Sequence, residues 1–418
     1  MTRSHLIIAL SGKAWGRAVM ACTIAAELSA TGDRVTLLIN ECLAPLTNGA
    51  GFRSVTINES LGPLLGLYID HLIATERPTS VVLSDYFANA NFCYAVGANP
   101  RCVLLKDIAT FSLDPWHFEW TGTKIDMFCG ETFLLTQGSS EDCTEQFQSI
   151  PYKLRPVPIV PLGKTNGAFR NLPHISHITT GSARETRHAL GISDGAKAVL
   201  FCTAKWQHAK YESRAGMRLA SSLPILVAEY LSRIGQDVHL VHVGPYAYDL
   251  QGRLNGRYHW LPPLSLSRFD SILASMDLFI SANISATTVT KAMVFEVPTV
   301  VLHNSILAET QEQVESALAR PFSESLRLWL KDAVPLFPFV LWPLGYHRFL
   351  APLLHNNPYV DALEFIEFLD EQRVESTLAD LLFDSTRRAD QLHSQTCYLK
   401  QIRSLPTGAE IIRAMMRG

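Results

Sequence analysis

The chain has 418 residues, of which 47% are hydrophobic and 18% charged, and a formal net charge of −3. It is long and apolar enough for two hydrophobic cores and too apolar for disorder. Near-balanced charge without Lys/Arg runs excludes a broad basic face for a nucleic-acid backbone, so a small partner is favoured.

In chain order, Leu6 to Leu10 is an apolar run of strand length that turns polar too soon for a signal peptide, which points to a cytoplasmic protein. The turn Ser11-Gly12-Lys13-Ala14-Trp15-Gly16-Arg17 follows, and then helical apolar spacing from Ala18 to Gly32. Val35 to Ile39, Ser80 to Asp85 and Arg101 to Asp107 read as further buried strands. Strands that alternate with helices predict a parallel sheet covered on both faces. The eight cysteines form no CxxC pair and read as reduced core residues.

Ser149 to Asn171 is rich in Pro and Gly and reads as a linker. A second α/β series follows. Its predicted strands are Ala198 to Ala204, Asp237 to Gly244, Asp277 to Ala282 and Thr299 to Ser305, and its helices include Leu219 to Gly235, Ser267 to Met276 and Thr287 to Phe295. Val334 to Leu354 is apolar, but its prolines break any spanning helix. Beyond Tyr359 the chain reads as helical. The expected architecture is α/β, with two Rossmann-like parallel-sheet domains facing a cleft: residues 1–160, residues 161–375, and helices over 376–418 that pack across both.

Ligands of open parallel sheets bind at the carboxyl ends of strands, where turns expose amides and helix N-termini carry partial positive charge. The best such turn is Ser281 to Thr288, with Asn283, Ser285, Thr287 and Thr288 as hydrogen-bonding groups and Lys291, one turn further on, as a donor contact that contributes charge. The alternative is that its hydroxyls only cap the helix. No side-chain spacing suggests a metal site.

The segment from Trp260 to Leu302, with Asp277, the Ser285 to Thr288 turn and Val297-Pro298, resembles the donor-binding half of two-Rossmann-domain (GT-B) glycosyltransferases. Glu185 to Ala204 resembles the linker helix and first strand of that half. The resemblance implies a metal-independent transferase that moves a sugar from a nucleotide-sugar donor, such as a UDP-sugar, to a small acceptor such as a natural-product intermediate. No cofactor is implied beyond the co-substrate, and a homodimer is left open. Implied donor contacts are Thr203, Lys205, Gly244, Asn283, Ser285, Thr287 and Thr288, with Lys13 and Arg17 neutralising the departing diphosphate across the cleft. His347, Asn356 and Asn357 are candidates for the sugar hydroxyls.

Two features depart from the family pattern. Lys291 stands where many relatives carry a ribose-binding Glu, and Glu296 where a Gly is common. The first loop also lacks the Gly-x-x-Gly-His whose histidine serves as base in some relatives. A base must then come from Asp85, Asp107 or His117, of which the two aspartates also read as helix caps. These departures keep open a non-catalytic partner that retains the fold, and a nucleotide-sugar epimerase, which can share this architecture, is a further reading. No Gly-x-Gly-x-x-Gly or P-loop supports a dehydrogenase or NTPase.

Overall fold

The computed structural model describes residues 2–12, 15–105, 107–122, 124–126, 132–134, 140–162, 166–172, 182–203, 219–235, 237–306, 310–333 and 347–417. Fifteen strands, numbered in chain order, are assigned among them. In the first lobe these are β1 (Ser4–Ala9), β2 (Arg34–Asn40), β3 (Arg53–Ile57), β4 (Ser80–Leu83), β5 (Ala109–Leu113), β6 (Lys124–Asp126), β7 (Thr132–Leu134), β8 (Tyr152–Val157) and β9 (Ala168–Arg170). In the second they are β10 (Lys197–Cys202), β11 (Val238–Val243), β12 (Tyr258–Leu261), β13 (Leu278–Ser281), β14 (Thr299–His303) and β15 (Glu364–Glu367).

The large sheets have the orders β3-β2-β1-β4-β5-β8-β9 and β12-β11-β10-β13-β14-β15, and β6 and β7 form a separate antiparallel pair. Every ladder within the two large sheets is parallel. Central strands such as β1, β4 and β11 are buried along their whole length, which explains their Val-, Ile- and Leu-rich sequences. The α/β two-sheet architecture is the expected one. Strand order reverses between β1 and β4 in the first lobe and between β10 and β13 in the second.

Three local expectations need correction. Residues 149–171 are no linker: β8 and β9 lie there and complete the first sheet, with Pro156 paired to Phe169 towards the sheet edge, where a missing N–H is tolerated. Arg101 to Asp107 is no strand, since Pro100–Val103 is a 3₁₀ turn capped by Asn99 and the buried strand is β5. The region after Tyr359 is not wholly helical, because β15 joins the edge of the second sheet. Of the described cysteines, Cys93 and Cys143 are buried, whereas Cys42 and Cys397 are exposed.

The last helices span the lobes. In Ser385–Arg403, Gln391 brackets Thr299 of β14, accepting from its N–H (3.2 Å) and donating to its carbonyl (2.9 Å). In Gly408–Met415, Ala409 and Ile412 enter the first-lobe core beside the Trp15–Ala30 helix, and Arg413 pairs with Asp33 at 2.8 Å. No helix among the described residues is long and apolar enough to cross a membrane.

Candidate functional site

The two points of strand-order reversal face each other. A Cβ placed on Gly16, in the first turn of the Trp15–Ala30 helix that follows β1, would stand 3.6 Å from the methyl group of Thr287, the first residue of the helix after β13. The first-loop Arg17 and the Ser281–Thr288 turn, predicted from separate halves of the chain, therefore border one cleft. Clefts of this kind are where open α/β sheets take ligands.

On the second-lobe side the turn is built by its own polar side chains. Ser281 Oγ accepts from the Asn283 N–H (3.1 Å), and Asn283 Oδ1 accepts from the Ser285 N–H (3.0 Å) and hydroxyl (2.7 Å). Asn283 and Ser285 thus shape the turn. The following helix, Thr287–Val294, has Ala286 at its N-cap and no side-chain cap, so the capping reading of its hydroxyls does not hold. Thr287 and Thr288 lie half-buried in its first turn, where amides and the helix dipole favour an anion.

Thr203, after β10, flanks this turn. Its hydroxyl hydrogen-bonds His242 Nε2 at 2.9 Å, and His242 Nδ1 meets the Tyr258 hydroxyl at 3.0 Å. Gly244 is small for a contact reason: an added Cβ would lie 2.1 Å from Thr203 Oγ1 and 2.8 Å from His242 Nε2. Its carbonyl accepts from Trp260 Nε1 (3.0 Å), leaving that indole partly exposed at the same edge.

Lys291 does not reach the turn. Its ammonium is buried and pairs with the fully buried Asp270 at 2.5 Å, tying the Thr287–Val294 helix to the Leu266–Ala274 helix. A donor contact by Lys291 is thereby corrected to a packing role. Glu296 has φ 58°, the left-handed region that explains why glycine suits this step.

The first-lobe side is charged. Asp85 follows β4 and is 0% exposed: its Oδ1 accepts from the Ala88 N–H at 3.2 Å, capping the Tyr86–Ala95 helix, and its Oδ2 pairs with Arg17. Arg17 also lies over the Trp116 ring, 5.6 Å from its centroid. Asn89 anchors this corner, accepting from the Leu10 N–H and donating to the Ile8 carbonyl at the end of β1.

Asp107 is misplaced as a base. It is exposed and precedes β5, hence lies at the opposite edge of the sheet from Asp85. The aspartate at the carboxyl end of β5 is Asp114, which sequence reasoning passed over; its Oδ1 accepts from the Phe118 N–H (3.0 Å) and its Oδ2 from Arg155 Nε (3.1 Å). His117 is 2% exposed, stacks on Trp120 at 4.0 Å, and its Nδ1 has no hydrogen-bond partner among the described residues. Burial, followed by the Arg155 charge, lowers its pKa below the ordinary histidine value.

The proposed sugar contacts separate. Asn357 is buried; its amide donates to the carbonyls of Pro158, Ile159 and Leu353, and its Oδ1 accepts from the Tyr359 N–H, so it is a lobe junction rather than a sugar ligand. Asn356 is an exposed turn residue with φ 53° beside His355. The His347 side chain, Lys13 and Lys205 lie outside the described residues. Glu367, at the end of β15, was not anticipated: it accepts from the amide of Ser305 at 2.6 Å and from Asn304 Nδ2 at 3.2 Å, yet burial pushes its pKa up to about 7. Among the described residues, no group of three or more His, Cys, Asp or Glu is placed to hold a metal ion.

The DUF6365 family, a family of unknown function, matches residues 24–418. No curated protein is detectably similar in sequence. Among solved structures, the chain is similar to the spinosyn rhamnosyltransferase SpnG complexed with thymidine diphosphate, with 13% identity, a TM-score of 0.52, and 99% of this chain and 100% of that chain covered. It is also similar to an Arabidopsis thaliana structure complexed with quercetin (12% identity, TM-score 0.56, 99% and 98% covered). Anabaena HepE in complex with UDP and glucose is a third (11% identity, TM-score 0.56, 99% and 98% covered). The fold is that of the GT-B glycosyltransferases, in a divergent form.

Proposed function

We propose that this chain, which belongs to the DUF6365 family of unknown function, is a glycosyltransferase that moves a sugar from a nucleotide-sugar donor to a small acceptor. The observation that carries the reading is the confrontation of the two strand-order reversals, one lined by hydroxyls and a helix N-terminus without a side-chain cap, the other by Arg17 and Asp85. The second lobe takes the donor: first-turn amides and the hydroxyls of Thr287 and Thr288 receive the diphosphate, with Thr203 beside them. Trp260 and Gly244 border the nucleoside. Transfer develops charge on the leaving phosphate, and these neutral donors face the place where it develops. The thymidine diphosphate and UDP named with the relatives fit this assignment.

Thermal unfolding with a panel of nucleoside diphosphates tests it. A ligand at about a hundred times its dissociation constant stabilises the folded state by about 2.7 kcal/mol, a readily measured rise in midpoint. Protection by UDP or dTDP, abolished by Thr287→Pro, is the expected result. No protection by any member of the panel contradicts the reading.

A further inference from the structure

The Ser281–Thr288 turn is closed by its own hydrogen bonds and is also held from its buried side. Within it, the Ala286 N–H donates to the Asn283 carbonyl at 3.1 Å, and Ser281 Oγ donates to the same carbonyl at 3.0 Å. From outside it, the fully buried Tyr359 donates its hydroxyl to the Ile284 carbonyl at 2.9 Å. Ile284 and Ser285 share one planar peptide, so that carbonyl and the Ser285 N–H point in opposite directions. Tyr359 holds the carbonyl end, and Asn283 Oδ1 holds the N–H end at 3.0 Å. The peptide is fixed at both ends, with its partially negative oxygen drawn into the core. Turned the other way, that oxygen would oppose an anion at the start of the Thr287–Val294 helix.

Tyr359 is itself placed by the first lobe. It lies in the short Pro358–Asp361 helix, which leads into β15 of the second sheet. Asn357 caps that helix, its Oδ1 accepting from the Tyr359 N–H at 3.0 Å. The amide of the same side chain donates to the carbonyls of Pro158 and Ile159, each at 3.1 Å, just beyond β8 of the first sheet. One buried side chain thereby fastens the segment that carries Tyr359 to the other lobe. Tyr398, on the Ser385–Arg403 helix, packs against the Tyr359 ring with centroids 5.8 Å apart, and its own hydroxyl has no hydrogen-bond partner among the described residues.

Resting on the glycosyltransferase reading, we propose that Asn357 and Tyr359 are positioning residues for the donor. Through the Asn357 amide and then the Tyr359 hydroxyl, the first lobe sets the shape in which the Ser281–Thr288 turn receives the diphosphate. Neither side chain touches the nucleotide. The path runs from Pro158 and Ile159 to Asn357, Tyr359 and Ile284, and every step in it is a hydrogen bond or a covalent neighbour. The coupling is reciprocal: a nucleotide bound at the turn tightens the Asn357 junction by the factor that the junction adds to nucleotide affinity.

Calorimetric titration of the full chain with UDP and dTDP, well below each variant's unfolding midpoint, tests the proposal. Tyr359→Phe removes one oxygen and keeps the ring, and it should weaken nucleotide binding about fivefold or more. Tyr398→Phe removes the neighbouring hydroxyl of the same ring pair and should bind as wild type does. Asn357→Ser can still cap the Tyr359 N–H but is too short to span both first-lobe carbonyls, and it should weaken binding to a similar extent. Because the two losses share one path, Tyr359→Phe/Asn357→Ser should bind about as weakly as the weaker single variant and no worse. Wild-type affinity in either folded single variant overturns the inference. So do equal losses in Tyr359→Phe and Tyr398→Phe, which would make the effect one of ring packing, and fully additive losses in the double variant, which would separate Asn357 from Tyr359. Failure of wild type to bind UDP and dTDP is a different result: it removes the transferase reading and this inference with it.

Discussion

The two edges that meet in the cleft are built from opposite materials. The first lobe presents buried ion pairs, Arg17 with Asp85 and Arg155 with Asp114. The second presents hydroxyls, an Asn-centred turn and a helix N-terminus without a side-chain cap, and hides its own ion pair, Lys291 with Asp270, behind the turn. Fixed charges orient a charged or ionisable group, whereas neutral donors suit a diphosphate that must bind and later leave. The fold is thus symmetric in plan and asymmetric in chemistry.

Removing one partner of a buried pair is the strongest way to break this contrast. Arg17→Met strands Asp85 and should cost about 3–5 kcal/mol in denaturant unfolding, most of it recovered by adding Asp85→Asn. Lys291→Met should cost about 3 kcal/mol for the same reason. Calorimetric titration of the folded Lys291→Met variant should nonetheless give wild-type UDP affinity, since the lysine supports the turn and does not line it. Gly244→Ala sharpens the second-lobe side: its methyl group meets Thr203 and His242, so about 1–3 kcal/mol of overpacking should accompany weakened UDP binding.

Acidity probes both lobes. His5 and His117 in the first, and His239 and His259 in the second, have pKa values lowered chiefly by burial. Below their ordinary value near 6.5 the unfolded chain binds more protons than the folded one, so stability should fall as pH falls from about 7 to 5.5. Glu367, raised to about 7, runs the other way, and its contribution is lost as pH rises from its ordinary value through about 7. Thermal melts of His117→Asn should show a shallower acid limb, and those of Glu367→Gln a smaller loss towards neutrality. The smallest effect expected is a gain of about 1 kcal/mol in Glu296→Gly, from relief of a left-handed non-glycine residue, read as a rise in midpoint.

What the sequence made legible was local. Apolar strands and the Ser281 to Thr288 turn carry their own periodicity and turn chemistry, so both lobes and that turn could be read from it. The first-lobe chemistry was not, because it depends on which strand is buried. The run Cys102 to Leu105 is more apolar than Ala109 to Leu113, yet β5 is the latter, and its Ser112 hydroxyl accepts from the Tyr86 N–H at the start of the Asp85-capped helix. That shift moved Asp107 to the wrong edge and concealed Asp114. Asn357 misled for a similar reason, since its partners Pro158 and Ile159 are some two hundred positions away and no local pattern announces them. Lys291 could be located but not aimed, because Asp270 sits on a separate helix.

A crystal structure of the chain with dTDP or UDP tests the central claim most directly. The account predicts the diphosphate within hydrogen-bond distance of the Thr287 and Thr288 amides and hydroxyls, with Thr203 beside it and the Arg17–Asp85 pair intact across the cleft. A diphosphate held instead by Arg17, with the second-lobe turn empty, would contradict it.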